Sequence, residues 1–148
     1  MSYYAILHAK GERSMRYSIL VIVGLLISGC ATAYQQKGMT GGYSETKLAV
    51  NVYRVSFGAN GYSSRDRARD FALLRSAELT IQDDFKYFTV LEGQDALEYQ
   101  SVKGILVSSP DITYLIKMSN DKNISGGSSY EASFILNSIG TKYELKNK

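Results

Sequence analysis

The only thiol in this 148-residue chain, Cys30, closes the run Ile27-Ser28-Gly29-Cys30. A thiolate is the strongest ordinary side-chain nucleophile, so a lone cysteine is the first residue to ask for covalent chemistry. Its neighbours suit processing: Ser28 and Gly29 leave the backbone free to lie extended in a protease cleft. Upstream stands an apolar run of ten residues, 18–27, preceded by Lys10, Arg13 and Arg16. Ten residues are too few to span a bilayer, which takes about 20. A buried core helix would need a comparably apolar partner segment, and the sequence has none. The order basic, apolar, small is that of an export signal. Met15-Arg16 is itself a compact opening for such a signal, which would make residues 1–14 an upstream extension.

Ile27-Ser28-Gly29-Cys30 resembles the lipobox of bacterial lipoprotein precursors. The resemblance implies cleavage between Gly29 and Cys30, a diacylglycerol on the Cys30 thiol, and an acyl group on the freed α-amino group. It implies a membrane partner through that lipid, and no cofactor besides it. In lipoproteins of enteric type an Asp after the cysteine retains the protein in the inner membrane. Ala31 therefore implies the outer membrane.

The remaining residues narrow the chemistry further. The only histidine, His8, lies upstream of the cut. A mature chain of 119 residues would carry no disulfide, no Cys or His zinc site, and no Ser-His or Cys-His pair. Removing residues 1–29 leaves 14 Lys and Arg against 13 Asp and Glu. A charge near +1 gives no electrostatic case for nucleic acid. An enzyme would have to use Ser with Lys, or carboxylates such as Glu78, Asp83 and Asp84. No nucleophile elbow or defined acid pair accompanies them.

The elements follow in order. Residues 31–42 are polar and Gly-rich and read as a tether; about 15 coil residues reach roughly 20 Å. Lys47–Phe57 reads as a strand whose alternation slips near Val52, as at a bulge or bend. Ser63 opens a helix to about Gln82, with Ser63-Ser64-Arg65-Asp66 close to a capping box. Its predicted polar stripe is Arg65, Arg69, Ser76, Thr80 and Asp83. Phe85–Leu91 reads as a strand, which makes a β-α-β unit with a parallel connection if both strands share a sheet. Gln94–Gln100 is ambiguous. Val102–Val107 and Asp111–Met118 read as a hairpin turning at Ser108-Ser109-Pro110-Asp111. The last element satisfies both a strand and a helix pattern; Ser128-x-x-Glu131 and Gly140 as caps favour the helix.

Three further features invite a role. Arg75 and Glu78 lie i,i+3 at the apolar side of the long helix, and are expected to form a structural ion pair. Asp121, Asn123 and Ser125 imitate half of a calcium loop, but Ala132 stands where the bidentate Glu belongs, so a solvated loop is expected. Tyr53, Tyr87, Tyr99 and Tyr114 would serve a small-ligand or peptide binder if they shared a sheet face; tyrosine is also ordinary strand filling.

Gly42-Tyr43-Ser44-Glu45, Asn51-x-Tyr53-x-Val55-x-Phe57 and Leu73-Leu74-Arg75-Ser76-Ala77-Glu78-Leu79-Thr80, with Phe85 and Phe88 after it, resemble a family of small proteobacterial lipoproteins of unknown function. Its core reads Tyr-Arg-Val-Ser-Phe, then Arg-Ala-Ala-Glu-Leu-Thr. Tyr130-Glu131-Ala132, Leu136 and Ile139-Gly140 echo its C-terminal pattern. Ser76 replaces a usual Ala, and residues 94–120 match poorly. The resemblance implies location and fold only.

The expected architecture is thus α+β in the order β-α-β-β-β-α, with one long helix on a mixed sheet. The expected segments are 1–29 signal, 30–46 lipidated cysteine and tether, 47–140 domain, and 141–148 polar tail. The expected role is a non-enzymatic outer-membrane scaffold or binding module.

Overall fold

Helix α1, Arg65–Gln82, is the element around which the others pack. A computed structural model describes residues 31–102, 104–122 and 126–145. Good helix formers fill α1, and Ser64 caps it by accepting a hydrogen bond from the Arg67 N–H at 3.1 Å. The cap is therefore Ser64, not Ser63. The helix ends at Asp83, and Asp84 follows with φ +62°, a left-handed turn that asparagine and aspartate tolerate better than most residues. Ser76 and Thr80, expected on a polar stripe, are fully buried. Each hydroxyl donates to the carbonyl four residues back, Ser76 to Ala72 and Thr80 to Ser76, so neither buries an unmet polar group.

The strands are β1 (Gly42–Ala49), β2 (Val52–Gly58), β3 (Tyr87–Val102), β4 (Ile105–Ser119) and β5 (Ser128–Glu131); helix α2 spans Ala132–Lys142. They form an α+β fold of order β-β-α-β-β-β-α. The sheet runs β1-β2-β4-β3-β5, and every strand pair is antiparallel, where a mixed sheet was expected. The reason lies in β4. It inserts between β2 and β3, so those two run in the same direction without touching: a split β-α-β unit.

The expected bulge or bend near Val52 is a hairpin turn with a register shift beside it. Ala49 pairs with Val52 across Val50-Asn51, the register shifts between Lys47 and Ala49, and the alternation slips because the chain reverses. The second hairpin is longer than expected. β3 and β4 pair from Tyr87↔Ser119 out to Val102↔Ile105, turning beside Gly104 at φ +80°. Pro110 sits inside β4 rather than in a turn. Its carbonyl accepts from the Ala59 N–H, so its missing N–H faces the β2 side, just past the last β2 pair, and leaves the β3 ladder whole. The last element is both patterns in succession: β5 over Ser128–Glu131, then a helix continuing through Gly140.

The domain also begins earlier and ends later than expected. Thr32 is 2% exposed, β1 starts at Gly42 inside the predicted tether, and Tyr143 and Leu145 of the predicted tail pack on the core. That core joins Val55, Phe57, Ile112, Ile116 and Phe88 of the sheet to Phe71, Ala72 and Leu74 of α1 and Ile135 and Ile139 of α2. The other sheet face is polar, with Arg54, Lys117, Glu92 and Gln94 exposed.

Candidate functional site

Because β1 lies at the sheet edge, its helix-facing residues meet the flank of α1 rather than its apolar centre. Those residues are Tyr43, Glu45 and Lys47, paired with Phe57, Val55 and Tyr53 of β2. The flank of α1 answers with charge. Arg75 donates through Nη2 to Glu45 Oε1 at 2.8 Å and through Nε to Oε2 at 3.2 Å. Its Nη1 donates to Glu78 Oε2 at 2.7 Å, and the guanidinium lies 4.5 Å over the Tyr43 ring. Glu78 accepts a second bond, from the Tyr34 hydroxyl at 2.5 Å. Further along the seam, Lys47 and the Tyr53 hydroxyl both donate to Asp83 Oδ2, at 2.7 and 3.0 Å.

Arg75 is 15% exposed in its side chain, Glu45 26% and Glu78 29%. Burial alone would lower the Arg75 guanidinium; the bonds to Glu45 and Glu78 outweigh it and raise its pKa. Burial, then the bond to Glu78, drives the Tyr34 phenol far above its usual range. Bonds from Lys47 and then Tyr53 hold Asp83 below the ordinary carboxylate value. One guanidinium between two carboxylates makes a cluster of net charge −1, with each guanidinium nitrogen already donating to a carboxylate. This is a brace between helix and sheet edge, and it lines a cleft of about 830 Å³ shared with Leu136 and Leu145.

The Tyr34 shift has a consequence at alkaline pH. A phenol with a raised folded-state pKa contributes stability in full below its unfolded value of 10, and loses it as pH rises toward the folded value. Tyr114, pushed up to about 12 by burial and then by Asp95, adds to the same limb. Tyr34→Phe is expected to flatten the fall in melting temperature between about pH 9 and pH 12. Identical slopes in the two proteins would remove Tyr34 from the account.

The structure does not bring the other candidates together. Glu78 and Asp83 serve separate bonds, and Asp84 forms the helix terminus. Tyr53, Tyr114 and Tyr99 lie on the helix side of the sheet, Tyr53 and Tyr114 packed against the core and Tyr99 out on the distal hairpin, whereas Tyr87 lies on the opposite face, so the four do not converge on one surface. Among the described residues no group of three His, Cys, Asp or Glu is placed to hold a metal. Gly29, Cys30, Asn123 and Ser125 lie outside the described residues. Glu45 and Tyr34 escaped sequence reasoning. The alternation Tyr43, Glu45, Lys47 was the available signal for the first; a partner 44 residues from Glu78 left none for Tyr34.

A second feature is the distal hairpin. Beyond Asp111, β3 and β4 continue past the end of β2 as a two-stranded arm. Leu97, Tyr99 and Leu106 lie on its helix-side face, and Ile105 and Val107 on the other; all five are exposed. At its base Val107 meets the loops around Met39 and Tyr62 in a groove of about 530 Å³. No helix among the described residues is long and apolar enough to cross a membrane. No protein-family model, curated protein or solved structure matches the chain.

Proposed function

We propose that this chain is a lipid-anchored protein of the bacterial outer membrane whose small α+β domain acts as a scaffold or binding module rather than as an enzyme. The observation that carries this reading is Ile27-Ser28-Gly29-Cys30, placed after a basic and apolar leader and two positions before Thr32, the first buried residue among those described. A lipid attached there would join the domain to the bilayer without a linker. The charged cluster on α1 supports a non-catalytic role: Glu78 pairs with Arg75 and Tyr34, and Arg75 holds the helix against β1 through Glu45. Ala31 after the cysteine supports the outer membrane.

The cleft beside Tyr34 and Leu136 favours a second reading, a small-ligand or peptide-binding lipoprotein, because its volume suits a small molecule. Binding there would protect Leu145 and Leu136 from hydrogen exchange; a scaffold would leave them unchanged.

The anchor itself is tested by Cys30→Ser. Wild-type protein is expected to incorporate labelled fatty acid and appear at mature size in the membrane fraction. The variant is expected to remain an unlabelled precursor. Equal labelling of the two ends the proposal.

A further inference from the structure

We propose that the end of the domain formed by Met39, Tyr62 and the β3–β4 arm rests on the surface of the bilayer, in its headgroup layer. The inference rests on the lipid-anchor reading and adds an orientation to it.

Chain reach supplies the first constraint. Cleavage before Cys30 leaves Cys30 and Ala31 ahead of Thr32, and two residues span at most about 7 Å. Thr32 itself is locked. Its N–H donates to Ser63 Oγ at 2.8 Å, its hydroxyl accepts from the Asn60 N–H at 2.7 Å, and the same hydroxyl donates to the Thr40 carbonyl at 3.1 Å. An anchored domain therefore has no freedom to stand off; the surface around Thr32 faces the lipid.

That surface presents exposed apolar side chains among polar ones, Lys37, Asn60 and Asp111 included. The loops that grip Thr32 carry Met39, 107% exposed, and Tyr62, 80% exposed. They share their groove with Val107 at the base of the arm. Gly61 lies so close to Val107 that a Cβ there would stand 2.6 Å from its Cγ1, which ties loop and arm together. Farther out, Tyr99, Ile105 and Leu106 are 61%, 68% and 71% exposed. A two-stranded ribbon with exposed apolar side chains on both faces has no core to cover, and a cluster of large exposed apolar residues of this kind marks a docking site.

The arm's backbone decides the depth. Among the described residues no strand pairs with either outer edge of the arm past Pro110, so the N–H and C=O groups there need water or headgroups and exclude the hydrocarbon interior. Tyrosines at the rim suit that depth, apolar in body and polar at the tip.

The chain contains no tryptophan, so a single introduced one reports alone. Leu106→Trp and Tyr99→Trp place the reporter on the arm; Val50→Trp places it at the opposite end of β2, on a side chain 80% exposed. Each full-length, lipidated variant is inserted into phosphatidylethanolamine–phosphatidylglycerol vesicles with brominated acyl chains. Both arm reporters are expected to be quenched several-fold more strongly than Val50→Trp and to emit at shorter wavelength. Lipidated protein with equal quenching at both ends, or none on the arm, overturns the docking while leaving the anchor in place. Protein whose mass shows no lipid at Cys30 overturns both.

Discussion

Arg75→Ala is expected to destabilise the domain by about 2–4 kcal/mol, because it strands two carboxylates rather than one. Loss of a partner from a fully buried pair costs about 3–5 kcal/mol, and the exposure of Glu45 and Glu78, each below a third, trims that figure. The Tyr43 ring loses its cation as well. Chemical denaturation of wild type and variant measures the difference directly. Replacing Arg75 and Glu78 together with Leu should not restore stability, since Glu45 and the Tyr34 hydroxyl would both lose their partners. Neutralising the whole cluster, as Glu45→Gln with Arg75→Met and Glu78→Gln, should be milder than Arg75→Ala. No charge is then left unpaired, and the amide carbonyl introduced by Glu78→Gln could still accept from the Tyr34 hydroxyl. By contrast, Lys142→Ala removes an ammonium that is itself 58% exposed and leaves Asp70 its bond from the Tyr143 hydroxyl, so the loss should be hard to resolve. A loss below about 0.5 kcal/mol for Arg75→Ala would mean that the cluster is merely a solvated surface feature.

The Arg75–Glu78 spacing was legible because a helix places i and i+3 side by side whatever surrounds it. Glu45 was not, because its strand went unrecognised. Val50-Asn51 makes a tight turn without glycine or proline, and β-branched Val50 reads as strand rather than as turn. Composition misled at the N-terminal segment for a related reason. Residues 31–42 look like coil because they are polar and Gly-rich, yet Thr32 is held by Ser63 and Tyr34 by Glu78, 31 and 44 residues away. Local patterns carry no information on partners so distant. Pro110 shows the converse, a residue read correctly in type and wrongly in place. Its missing N–H looks like a break until β2 is known to end one residue short of it. Helix α1 was legible nearly to the residue because its apolar period persists over 18 residues. The split sheet was not, since inserting β4 between β2 and β3 depends on contacts, not on any local period.

Phe71→Ala is expected to be the most damaging single change in the domain, at about 3–5 kcal/mol. Phe71 is wholly buried on α1, and its ring meets three others: Phe57 of β2 at 5.2 Å, Tyr34 of the N-terminal segment at 5.3 Å, and Tyr143 after α2 at 4.8 Å. The Arg67 guanidinium lies 5.0 Å from the Phe71 ring and 5.0 Å from the Tyr143 ring, so its apolar stem and charge are held by the same stack. Truncation therefore opens a cavity where sheet, helix and both terminal segments converge, and the four cannot all relax into it. Against a typical net stability of about 5–15 kcal/mol, the loss is a large fraction of the total. A cavity confined to the core would lower the global melting temperature and nothing else. A stack that fastens the termini would also make residues 32–36 and 143–145 exchange their amide hydrogens faster than α1 does, at temperatures where α1 is still folded. Phe134→Ala is the matched control, an aromatic of the same size on α2 that is 65% exposed, and should stay within about 0.5 kcal/mol of wild type. If Phe71→Ala also falls within that margin, the ring is not the keystone of the core. If it is costly but exchange at the two termini is unchanged, the termini are held by their hydrogen bonds alone and the aromatic stack plays no part in fastening them.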